Sequence, residues 1–194
     1  MSLTEPRIPP LPPEEWGDDV RAGIAALRPA GATTELRRSK GGPKGLNVLG
    51  TLAQHPELMH AYHTFNGHIL YTNSLDPRQR ELLVLRVAAR RGAEYEWEQH
   101  VFMARELGFS DNEIERIAEG SHAAEWTPLE TAMLRAVDEL IDDAFISDAT
   151  WSALASELDR HQLMDLVFTV GAYDLLAMAF KSFGLQLDRD LGSG

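Results

Sequence analysis

The sequence predicts an all-α fold, and three observations carry that reading. Apolar residues recur at helical spacing through the long segments, helix start signals repeat ahead of them, and no run alternates convincingly as a strand would. At 194 residues and 44% hydrophobic content, the chain can bury one substantial core, so a single domain over 1–194 is expected.

A proline-rich arm, residues 1–13, comes first. Its IPPLPP run, Ile8 to Pro13, lacks the N–H donors that a helix or central strand needs. A helix is expected from Pro13 to Leu27. The stretch from Pro29 to Gly45, with Arg37, Arg38, Lys40 and Lys44, has no apolar period and reads as a loop. A short helix from Leu46 to Gln54 follows. Pro56 then opens a helix to Tyr71, with Leu58, Met59, Tyr62, Phe65, Ile69 and Leu70 at helical spacing.

Asp76, Pro77 and Gln79 combine an N-cap, a first-turn proline and a capping box, which starts a helix that should run to Arg91 and stop at Gly92. The next helix spans Ala93 to Leu107 and ends at Gly108. Ser110 with Glu113 caps a helix to Glu119, and Thr127 with Glu130 caps one to Asp143. Ser147 opens a helix through Leu158, and a last helix is expected from His161 to Phe183.

The net charge of −12 opposes nucleic-acid phosphates and anionic lipid, so neither partner is expected. Cysteine is absent, which excludes disulfides, thiolate metal sites and thiol redox chemistry. The most apolar stretch, Leu163 to Phe183, is interrupted by Asp165, Asp174 and Lys181; a cytoplasmic location follows as the default expectation. No phosphate loop, dinucleotide fingerprint or nucleophile elbow is visible, so the expected chemistry uses no cofactor. His55, His60, His63 and His68 lack a carboxylate cluster, so no metal site is expected.

Glu81 falls on a stripe with Leu85, Ala88 and Ala89, and Glu96 and His100 head a stripe that continues to Met103 and Leu107. Packing the two helices antiparallel could bring an acid pair and an imidazole into one dry site suited to proton transfer. The plainer reading stays open: Glu81 favours its helix N-terminal half, Glu96 and His100 form an i, i+4 pair, and Tyr95 and Trp97 pack. Glu94, Glu98 and Gln99 are expected off the site face. Arg37 and Arg38 could pair with a substrate carboxylate or remain a solvated loop. Asp174 interrupts an apolar helix and needs a partner.

The run RELLVLRVAARRGAEYEWEQHVFMARELGFSDNEIERI, Arg80 to Ile117, resembles the signature of the carboxymuconolactone decarboxylase family, which includes the alkylhydroperoxidase D-like proteins. The flanks IPPLPPEEW, LAQHPEL, DEL and ISDATWSAL resemble a longer subgroup of it. The resemblance implies an alkylhydroperoxidase D-like helical bundle and assembly into trimers or hexamers, with the arm like a segment that could wrap a neighbour. Where the peroxidase branch carries its cysteine pair, this chain has Ala93 and Glu96, so thiol peroxidase chemistry is not expected.

The decarboxylase branch implies His100 as proton donor, with Glu81 and Glu96 as orienting and relay groups, and Tyr95 and Trp97 beside a small carboxylated lactone or related product of aromatic catabolism. The competing reading is a noncatalytic helical oligomer or small-molecule-binding protein on the same scaffold.

Overall fold

The computed structural model describes residues 5–30 and 44–188. The α-helices among them are α1 Asp18–Ala25, α2 Leu46–Leu52, α3 Pro56–Gly67, α4 Pro77–Arg91, α5 Glu94–Glu106, α6 Asp111–Glu119, α7 Pro128–Asp143, α8 Asp148–Ala155 and α9 Arg160–Phe183. No described residue lies in a strand. The chain divides into two compact units, one of Met1–Asn73 with Ala179–Gly194, the other Ser74–Met178.

In the first unit, α1 packs on α3 around Val20, Ala53 and Met59, with Leu11, Trp16, Ile24, Leu49 and Leu52 against them. The described part of the arm is bound by its own chain. The Leu11 N–H donates to Gly50 O at 2.9 Å, Gln54 Nε2 donates to Pro9 O at 2.9 Å, and the Arg7 N–H donates to Phe183 O at 2.7 Å. The arm's backbone thus finds partners within its own unit, through two of its N–H groups and the Pro9 carbonyl. A Cβ on Gly50 would stand 2.5 Å from Leu11 O, so glycine admits the arm at that point.

Two expected helices change in this unit. The span Pro13 to Leu27 splits into a 3-10 turn, Pro13–Glu15, and α1, because Gly17 takes an extended N-cap conformation and Asp18 and Asp19 start a new first turn. The Pro56 helix does not stay α-helical to Tyr71. It passes into a π-helical segment, His68–Thr72, where Thr72 Oγ1 bonds to His68 O at 3.3 Å and to His68 Nδ1 at 2.9 Å. Such back-bonding competes with the regular ladder.

In the second unit α4 is central, packing against α5, α6 and α7. Its residues Glu81 to Ala88 are all buried, so through this stretch the helix is enclosed on every face, with Glu81 and Arg86 among the apolar side chains. The expected capping boxes at Asp76/Gln79, Ser110/Glu113 and Thr127/Glu130 all form. Gly92 ends α4 in the left-handed region at φ 55, and α5 starts two residues later. The buried Arg86 holds α4 to its neighbours. It donates to both Asp138 carboxylate oxygens at 2.8 and 3.0 Å and to the carbonyls of Ile117 and Ala118 at 3.0 and 2.7 Å.

Candidate functional site

Glu81, one turn into α4, and His100, midway along α5, meet between these helices. His100 Nδ1 lies 2.7 Å from Glu81 Oε2, and the two residues are 7% and 3% exposed. The tight Gly92 turn makes the meeting possible, because it reverses the chain at once and lays the inward stripes of α4 and α5 together. With Glu81 as the carboxylate, the Nδ1–H donates to it, which leaves Nε2 as the nitrogen that can exchange a proton. Tyr173 of α9 sets its ring edge-on to the imidazole, with centroids 5.0 Å apart at 87°.

Glu96 sits four residues before His100 and is 3% exposed. Neither carboxylate oxygen has a hydrogen-bond partner among the described residues. Burial, and secondarily the negative charge of Asp174, push its carboxyl up to about 8. At neutral pH it is therefore a protonated acid. Asp174 itself is clamped by Arg91, whose Nε and Nη2 bond to its two oxygens, the latter at 2.9 Å. That hydrogen bonding, more than the opposing burial, raises the guanidinium further. Burial is the larger of the two causes at Glu96.

The other expected site residues divide. Tyr95 is buried, and its hydroxyl oxygen accepts a hydrogen bond from Gln99 Nε2 at 2.8 Å. Trp97 is half-buried against the small cluster of Ala88, Ala93 and Ala177. Arg37 and Arg38 lie outside the described residues. Glu94 and Glu98 are exposed as expected. Gln99 is not: it is buried beside Tyr95, because α5 is enclosed on a wider arc than one stripe. Asp174 had signalled its need for a partner by interrupting an apolar run. Its partner Arg91 and the edge-on Tyr173 carried no signal in the sequence, since both depend on where α9 lies against α4 and α5.

His63 has its own buried contact in the first unit. Its Nδ1 lies 2.9 Å from Gly23 O, and burial lowers its pKa.

The sequence model of the carboxymuconolactone decarboxylase family matches residues 56–139, which include Glu81, Glu96 and His100. No curated protein matches the chain. Among solved structures, an uncharacterized peroxidase-related protein from Ralstonia eutropha JMP134 with an alkylhydroperoxidase AhpD core is similar at 19% identity and TM-score 0.67, covering 75% of this chain and 78% of that one. The apo debrominase Bmp8 is similar at 12% identity and TM-score 0.73, covering 96% and 94%. A cysteine-to-alanine variant of Bmp8 in complex with 2,3,4-tribromopyrrole gives 14% identity and TM-score 0.71, covering 100% and 97%. At these identities the likenesses establish the alkylhydroperoxidase D-like helical fold.

Proposed function

We propose, on the premise that this chain belongs to the carboxymuconolactone decarboxylase family through residues 56–139, that Glu81, His100 and Glu96 form a proton-transfer site for decarboxylating a small carboxylated lactone or related intermediate of aromatic catabolism. The observation that carries the reading is the buried 2.7 Å Glu81–His100 bond on the same helix pair as a carboxyl held neutral near pH 7.

In the proposed reaction the bond between a ring-attached carbon and its carboxylate breaks and carbon dioxide leaves. The electron pair spreads into the conjugated lactone carbonyl, and a proton then closes the carbon. His100 delivers that proton, Glu81 fixes the imidazole and stabilises its charged form, and Glu96 is the buried store that reprotonates it. The balance requires one proton and no redox partner. Thiol chemistry of the kind the names of the peroxidase-related proteins suggest has no nucleophile here, because the chain contains no cysteine.

Purified protein screened against carboxylated lactones should release carbon dioxide. His100→Ala should lower turnover by about a hundredfold or more while circular dichroism is unchanged. A folded His100→Ala protein with full activity on the identified substrate would remove His100 from the role. Glu81→Gln, which retains a hydrogen-bonding group without the charge, should give a smaller loss and a displaced pH–rate profile.

The enclosure of Glu81, Glu96 and His100 favours one second reading, a noncatalytic or small-molecule-binding protein on this scaffold. Absence of turnover across the lactone panel, with an ordinary histidine titration of His100 by NMR, would select it.

A further inference from the structure

From residue 164 to residue 178 of α9, the solvent-facing positions are Met164, Phe168, Gly171, Leu175 and Met178. Four of them are large apolar side chains, 49–60% exposed. Their spacing steps by four and three residues in turn, which is the 3.5-residue repeat of a helix seam, and it extends about 21 Å along the axis. An ordinary surface helix places polar residues on such a face. At about 200 Å² for a large side chain, four that are half exposed present roughly 400 Å² of apolar surface, the size of patch that marks an interaction site.

Gly171 sits at the centre of this seam. A glycine inside a helix costs about 1 kcal/mol relative to alanine, yet a Cβ built here meets nothing within 4 Å. Nothing among the described residues therefore explains the glycine. A second backbone crossing at close range would explain it.

The seam also reads nearly the same in both directions. Met164 and Met178 lie seven residues on either side of Gly171, and Phe168 and Leu175 lie three and four residues away. A two-fold axis at Gly171 would seat Met164 on the partner's Met178 and Phe168 on the partner's Leu175, and each pair would occur twice. Such self-complementarity is the mark of an isologous interface.

We propose that α9 docks antiparallel on α9 of a second copy of this chain, about a two-fold axis at Gly171. Two copies would seat roughly 800 Å² of apolar core, which a polar rim extends toward the roughly 1,200 Å² at which stable interfaces begin. A lipid surface fits the same seam less well. Although α9 is long and apolar enough to cross a membrane, half of its apolar window is buried in the chain, and the net charge of −12 repels anionic headgroups. The proposal stands on this surface alone and is independent of the proton-transfer reading. A trimer built on another face would become a hexamer through this axis.

The cysteine-free sequence allows a direct test in the full chain. Light scattering at micromolar concentration should give an even-numbered assembly, dimer or hexamer, and Phe168→Glu should halve its mass. Leu175→Cys, beside the axis, should cross-link to itself with a bismaleimide, whereas Asn112→Cys on α6 should stay uncross-linked. A wild-type monomer or trimer, a folded Phe168→Glu protein of unchanged mass, or no Leu175→Cys cross-link would overturn the proposal. So would sedimentation with phosphatidylcholine vesicles in the absence of that cross-link, which would assign the seam to lipid.

Discussion

Glu96 keeps two carboxylate oxygens buried without a hydrogen-bond partner among the described residues, and that decides how the protein's stability responds to pH. Its carboxyl titrates near 8 in the fold against 4.5 as the ordinary value. Between those values the unfolded chain has already released the proton that the folded chain keeps. The folded state thus binds more protons, and stability falls as pH rises, by up to about 1.4 kcal/mol per pH unit. The contribution is intact below about 4.5 and fully lost above about 8. Urea midpoints measured from pH 5 to 9 should decline more steeply for the wild type than for Glu96→Gln; equal slopes would mean that Glu96 is not buried as the acid. Asp174→Asn removes the nearby negative charge and should move the midpoint of that decline to lower pH. The inward positions of Glu81, Glu96 and His100 were legible, because a helix repeats its faces every three to four residues. The clamp on Asp174 was not, since its two sides are 83 residues apart in the chain.

At the scale of elements, boundaries marked by side-chain chemistry were readable from sequence. Asp76, Ser110, Thr127 and Ser147 each accept from their own helix's first turn, and α4, α6 and α7 begin where they predict. Ser110→Ala should cost about 1 kcal/mol in chemical denaturation, with activity retained. The elements that deviated did so through local competition: a glycine taking the cap at Gly17, and threonine back-bonding in the π-helical segment. A second prediction concerns the loop after α6. Gly120 has φ 106, and a Cβ there would fall 2.5–2.8 Å from three atoms of the buried Arg86 guanidinium. Gly120→Ala should therefore destabilise by about 2 kcal/mol or more, well beyond an ordinary surface change, as read from the thermal midpoint.

For the molecule as a whole, the dominant physical quantity is its charge, −12 with a pI near 4.9. Self-repulsion of that size is long-ranged at low salt and is screened within about 8 Å at physiological ionic strength. Raising salt from about 10 mM to about 150 mM should raise the thermal midpoint at pH 8 and leave it nearly unchanged near pH 5. Helical class was legible at this scale because every signal for it is local. The division into two compact units was not, since it follows from which helices pack together and α9 contributes residues to both.

Glu81 and His100 are only 19 residues apart, on consecutive helices joined by a minimal turn. Contacts of such short sequence separation close at little entropic cost and belong to the early part of folding. Asp174, whose charge adds to the shift at Glu96, and Tyr173, whose ring meets His100, both lie on α9, much further along the chain. Folding kinetics should separate the two: Glu81→Gln should slow the folding arm of a chevron, and Tyr173→Ala should mainly speed unfolding.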